Sequence, residues 1–273
     1  MIKRELIHAG YYGRYANLDN PIPAPPATPN PCATDLASLR VAAALPIQGY
    51  DAPTGKPLPC LSDSNHIDGT DILVIRRASP IQTTGSLSPS RVYLQSNAMA
   101  LRLDSGDGSF DLTDRFGLPS AIREYYVDIY FISPCLVTTA NECTADADGG
   151  NPIPTLKRLR LSSNGVSPVF TEQPMIEGVE NLQFDFGLDT TEDGIVDPPY
   201  VTAPLTPPDW ADVIALQAFV LARSIGPDAG AASQRTYHLG LAGSFGPFAD
   251  RVLRHSYATS MRLMNVAGRR ELP

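Results

Sequence analysis

The chain has 273 residues, enough for one large domain or two small ones, and its 43% apolar content supports a sizeable core rather than general disorder. A formal charge of −8 argues against nucleic acid as the main partner, because phosphate binding requires a basic face. The 26 prolines and 21 glycines imply many turns and long irregular connections, which suit a β-rich extracellular protein better than a helical one.

Residues 2–7 read as the end of a helix. Ile2, Leu6 and Ile7 lie about one turn apart, and Gly10 and Gly13 supply the stop. A helix this short is marginal alone in water. Either it packs on the body of the protein, or it is the stub of a longer helix that continues upstream of Met1. The sequence itself holds no signal peptide and no run long and apolar enough to span a membrane, so an anchoring or export element would have to precede it.

Residues 14–66 are dominated by Pro, Ala, Asn and Asp, with little periodicity. Within them, Asp35 is a fair N-cap, and Leu36, Leu39 and Ala43 share a face, which predicts a short helix ending near Ala44. The remainder reads as a long surface excursion. Cys32 and Cys60 lie in its proline-rich segments, while Cys135 and Cys143 bracket the polar loop Leu136 to Glu142. Two local disulfides, 32–60 and 135–143, are the simplest of three possible pairings; four free thiols in a cytosolic protein are the alternative. Closing such loops contributes on the order of 3 kcal/mol each. No Cys-x-x-Cys and no histidine pair at zinc-like spacing occurs, so metal and redox motifs are weak readings.

The strands follow. Asp71 to Ala78 and Arg91 to Gln95 are short and apolar. Ile122 to Ile132 alternates best: Tyr125, Val127, Ile129 and Phe131 face one way, and Glu124, Tyr126, Asp128 and Tyr130 the other. Thr155 to Leu161 is expected to pair with it across the cysteine loop. In a second group, Leu182, Phe184, Phe186 and Leu188 alternate with polar residues. Val213 to Arg223 is apolar on both faces, as a covered central strand should be. Arg235 to Leu239 is short. His255 to Leu263 closes the chain, with Tyr257, Thr259, Met261 and Leu263 on one face. Hairpin-like runs without a βαβ rhythm imply mostly antiparallel pairing.

The sharpest candidate site is the loop from Asp189 to Asp197. Asp189, Thr191 and Asp193 at alternate positions, Gly194 for a sharp turn, the Ile195 carbonyl and Asp197 form an oxygen set suited to a hard cation such as Ca²⁺. The match to an EF-hand loop is incomplete, because Thr191 stands at the third position and Tyr200 where a bidentate Glu would close the loop. The competing reading is an acidic, solvated hairpin loop. Asp104 to Ser109 and Asp146 to Asn151 read as plain Asp/Gly turns. No Gly-x-Ser-x-Gly, His-Glu-x-x-His or phosphate loop occurs, and adjacent His255 and Ser256 would point to opposite faces of a strand. Trp210 reads as a core or edge anchor.

Several segments carry a resemblance in matching order along nearly the whole chain. They are Ala9 to Gly13, Asp71 to Arg77, Pro154 to Arg158, Ile176 to Phe184, Leu221 to Ser224 and Met261 to Asn265, with Gly178-Val179-Glu180-Asn181-Leu182-Gln183-Phe184 the most specific. Together they resemble the PilW family of type IV pilus minor pilins, with a fainter likeness to J-type pseudopilins of type II secretion. The resemblance implies an α+β, β-dominated, type IV pilin-like fold: an N-terminal helix stub, mainly antiparallel sheets and long proline-rich loops. Residues 1–13 would end the helix, 14–66 form the stapled excursion, and 67–273 the head, with sheets at about 67–165 and 176–265.

The implied role is non-enzymatic: a minor subunit that primes pilus assembly and sits near the tip with other minor pilins and an adhesin, serving cell adhesion and twitching motility. It would begin in the inner membrane, facing the periplasm and held by the upstream helix, and then enter the extracellular pilus; the residues in hand would be its soluble head. Two other readings compete, a calcium-dependent extracellular adhesion module and a secreted hydrolase.

Overall fold

The computed structural model describes residues 2–16, 22–203, 206–227 and 234–270. In chain order its elements are α1 (Ile2–Leu6), α2 (Leu36–Ala42), β1 (Ile47–Tyr50), β2 (Ile72–Ala78), β3 (Val92–Ser96), β4 (Leu101–Ser105), β5 (Ile122–Ser133), α3 (Ala147–Gly150), β6 (Thr155–Ser163) and β7 (Pro168–Glu177). They continue as β8 (Val179–Leu188), β9 (Asp197–Val201), α4 (Pro207–Ala211), β10 (Val213–Arg223), β11 (Tyr237–His238), β12 (Ser244–Phe245), β13 (Arg254–Arg262) and α5 (Met264–Arg270). The pairing is antiparallel throughout, as the hairpin-like runs imply.

Strand β5 is the hub of the first sheet. Its start pairs with β3, its middle with β2 and its end with β6, which in turn pairs with β7; β1 and β4 extend the sheet beyond β2 and β3. The second sheet runs β13-β10-β8-β9. Its central strand β10 is the apolar run read from the sequence, though its second half is only partly buried.

Two cores result. The first lies between the sheets and gathers Leu73, Ile75, Tyr130 and Ile132 against Phe184, Phe186, Leu216 and Ala218, with Leu6 of α1 and Val266 of α5. The second lies on the far face of the first sheet, where Val74, Tyr125, Val127, Ile129 and Phe131 meet Tyr12, Leu39, Leu58 and Leu61. The alternation of β5 is therefore as expected, and its end is apolar on both sides because both sides are covered. The excursion supplies that second cover. Within it α2 forms as predicted, and the Asp35 carboxylate accepts from the Ser38 amide at 2.9 Å. Cys32–Cys60 staples the cover, and Cys135–Cys143 closes the loop between β5 and β6.

Polar contacts fix how the parts sit. Asp71, buried at the start of β2, donates its amide to Leu182 of β8 at 2.8 Å, while its carboxylate accepts from Phe184 at 2.7 Å and from Ala52 at 2.8 Å. One residue thus joins the two sheets and the excursion. Beneath α1, Glu5 accepts from Arg77 at 3.1 Å and lies within 4.0 Å of Arg158 and Arg160. Fully buried Asp128 accepts from Nε and Nη2 of Arg160, at 2.6 and 2.7 Å, a charge-assisted fork that fixes the guanidinium plane.

Several elements differ from the sequence reading. Ile7 is exposed while Leu6 is buried, so they do not share a face. The excursion contains a true sheet strand, β1, and its residues 17–21 lie outside the described residues. At Gly49 in β1 a Cβ would come within 2.7 Å of Phe186 and 3.0 Å of Trp210, so only glycine lets this strand approach the second sheet. Strands β4, β7 and β9 are not among the strands read from the sequence. Helix α5 follows β13 where the fold was expected to end. Of the face Tyr257, Thr259, Met261 and Leu263, only Met261 and Leu263 are buried.

Candidate functional site

The acidic loop leaves β8 at Asp189 and enters β9 at Asp197. Its sharp turn uses left-handed backbone at Glu192 (φ 59°) and Gly194 (φ 80°). Asp189 is fully buried, and its carboxylate accepts from the amides of Asp193 at 3.1 Å and Gly194 at 3.0 Å. Arg270 of α5 lies 3.4 Å from the same carboxylate, and its guanidinium also donates to the carbonyls of Asp189 and Ala211 and to Asp212 at 2.7 Å. A cation does stand at the loop, and it is a side chain from the end of the chain.

The other predicted ligands are employed locally. The Asp193 carboxylate accepts from the Ile195 amide at 2.8 Å, and the Ile195 side chain is exposed. Asp197 accepts from the Thr190 amide at 2.8 Å, the Thr190 hydroxyl at 2.7 Å and the Thr191 amide at 3.1 Å; the Thr191 hydroxyl lies 3.4 Å away. The Thr190 hydroxyl, then the amides, hold Asp197 below the usual carboxylate range. Each carboxylate thus stabilises its own stretch of backbone, and the set does not converge on one centre. Among the described residues no three His, Cys, Asp or Glu side chains are grouped so as to hold a metal ion. Spacing in the sequence could not separate a carboxylate that serves its own amides from one that serves a cation.

The two other acidic turns are structural. Asp148 accepts from the amides of Leu136, Val137 and Ile153 at 2.8–2.9 Å and so shapes the cysteine loop. Asp104 pairs with Arg40 of α2 at 3.2 Å. Trp210 is buried in α4 and meets Phe186 edge-on at 5.0 Å, a core anchor between β1 and β8. The His255 ring meets that of Tyr257 at a tilt of 60°, with centroids 4.5 Å apart. Beside the acidic loop a cleft of about 600 Å³ is lined by Tyr12, Pro46, Glu192, Ala211, Val266 and Arg269. Arg269, which lines it together with Arg270, donates to the Gly10 carbonyl at 3.1 Å. This arrangement ties loop, helix ends and chain start into one surface, and offers no nucleophile–base pair. Arg270 and Asp212, which close it, went unremarked in the sequence. The available signal was the run from Arg251 to Arg270, with five arginines and no acid in an acidic protein.

The acidic loop and α4 fall in the second half of the chain, and the excursion lends Pro46 to the cleft beside them. Residues 141–265 match the family model of the type IV pilus-assembly protein W, PilW. The PilW resemblance read from the sequence is thus borne out over that segment. It spans β6 to β13, and so includes the whole second sheet and the acidic loop. No curated protein matches the chain. Among solved structures the chain is similar to a type IV-like pilin from Thermus thermophilus, with 13% identity over 97% of this chain and 92% of that one and a TM-score of 0.38. That likeness is too remote to carry an argument. No helix among the described residues is long and apolar enough to cross a membrane.

Proposed function

We propose that the chain is a non-enzymatic minor subunit of a type IV pilus, working in the periplasm and in the pilus itself. The PilW match over residues 141–265 is the observation that carries this reading. The site supports it, since the acidic loop, α4 and α5 form a braced surface rather than a catalytic constellation. In this reading the subunit helps prime assembly and sits near the tip with other minor pilins and an adhesin.

Deleting the gene in its host is expected to reduce surface pili sharply, with recovery when the gene is restored. Normal piliation in the deletion strain would overturn the reading. Antibody against the head is expected to label pilus ends; label along the shaft would retain the subunit and remove the tip.

A further inference from the structure

The cleft beside the acidic loop holds a guanidinium that no acid neutralises. Arg269 lines it and hydrogen-bonds only to the neutral Gly10 carbonyl, at 3.1 Å. A second such cation, Arg76 of β2, is fully buried and donates to the Leu45 carbonyl at 2.9 Å and to Gln48 at 2.8 Å. Both bear on the Tyr12 phenol, which forms part of the cleft wall. Among the described residues neither arginine is ion-paired. A buried charge without a partner is costly. The acids nearby do not supply one. Asp189 and Asp212 pair with Arg270, and Glu192 is exposed, where water screens it. Burial is the largest influence on Arg269 and lowers it, Tyr12 and Tyr15 oppose this, and the like charge of Arg270 adds to the lowering.

The walls decide what kind of anion fits. Ala43, Ala44, Pro46, Pro208, Ala211 and Val266 offer apolar contact. Their backbone groups are already in use. The Ala43 carbonyl accepts from the Tyr12 hydroxyl at 2.8 Å, and that of Pro46 from the Arg76 amide at 2.8 Å. The Pro208 carbonyl accepts from the Asp212 amide at 3.1 Å, and that of Ala211 from Arg270 at 3.0 Å. The amides of Ala43 and Ala44 donate back to Leu39 and Val41, and the two prolines have no N–H. An extended peptide finds no main-chain ladder on such a wall. A volume of about 600 Å³ suits a small molecule instead.

We propose that this cleft binds a small amphiphilic carboxylic acid, with its carboxylate on the Arg269 guanidinium and its hydrocarbon body along the apolar wall. The carboxylate supplies the negative charge that Arg269 lacks. The body covers apolar surface contributed by the chain start, the excursion, α4 and α5, so a bound acid bridges all four. Nothing in this depends on the pilus-subunit reading. Loss of binding leaves the piliation phenotype as it was, so the two can fail separately.

The test titrates the whole labelled chain with submicellar decanoate, and with decanol and decyltrimethylammonium as its neutral and cationic counterparts. Amide shifts are expected at Gly10, Tyr12, Ala43, Ala211 and Val266, with decanoate binding about tenfold or more tighter than decanol and the cation weakest. Arg269→Gln is expected to weaken decanoate about tenfold and to leave decanol within about twofold. If that variant does not fold, Ala211→Leu narrows the cleft without removing a hydrogen bond, and is expected to weaken both ligands about tenfold. No binding at millimolar decanoate, equal binding of decanoate and decanol, shifts confined to other parts of the chain, or unaltered decanoate binding by the variant would overturn the proposal.

Discussion

Strand β2 of the first sheet and strand β13 of the second differ in what lies against them. All seven residues of β2 are buried, because the inter-sheet core covers one face and the stapled excursion the other. In β13 only Met261 is buried. Strand β2 is committed on both faces and holds the two cores together. The second sheet spends one face on the core and keeps an edge strand that is largely exposed. The match to PilW covers all of the second sheet and, of the first, only β6 and β7.

Side-chain truncation on the two sheets sharpens this contrast most. Phe131→Ala opens a cavity in the fully buried second core and is expected to cost about 3–5 kcal/mol in urea unfolding. Tyr257→Ala on β13 is expected to stay within about 0.5 kcal/mol. Similar losses at both positions would mean that the second sheet is covered as thoroughly as the first.

The joint between the sheets has a pH signature. Burial is the largest influence on the Asp71 carboxyl and pushes it from 3.8 up to about 7, against the lowering by the Ala52 and Phe184 amides. Between those values the native chain holds a proton that the unfolded chain has released, so stability falls as pH rises through that window. Asp185, also raised by burial, acts in the same direction. Asp71→Asn is expected to flatten the slope between pH 4.5 and pH 7; an unaltered slope would place its origin elsewhere.

The smallest expected effect is at the acidic loop. Its carboxylates are occupied by backbone amides, hydroxyls and Arg270, so millimolar Ca²⁺ is expected to move the melting temperature by no more than about 1 °C. A rise of several degrees that Asp193→Ala abolishes would restore the calcium reading.

What the sequence made legible follows from burial. Strands β5 and β8 sit against cores and alternate cleanly, and α2 carries its cap in the sequence. Strands β7 and β9 were hidden because the prolines that protect a sheet edge also weaken the strand signal. Strand β1 has only four residues and owes its place to Gly49 fitting beneath Phe186 and Trp210, a contact no local pattern contains. The acidic loop is visible in the sequence, but its partner Arg270 lies 81 positions from Asp189. Spacing within a loop says nothing about a side chain that arrives from the end of the chain.

Residue-resolved hydrogen exchange along β13 tests the central contrast most directly. The account predicts an alternation: fast exchange at Ser256, Ala258 and Ser260, whose amides face outward, and slow exchange at Tyr257, Thr259 and Met261, whose amides bond to β10. Strand β2 should be protected throughout. Uniform protection along β13 would contradict the account by showing that its outer edge is already paired.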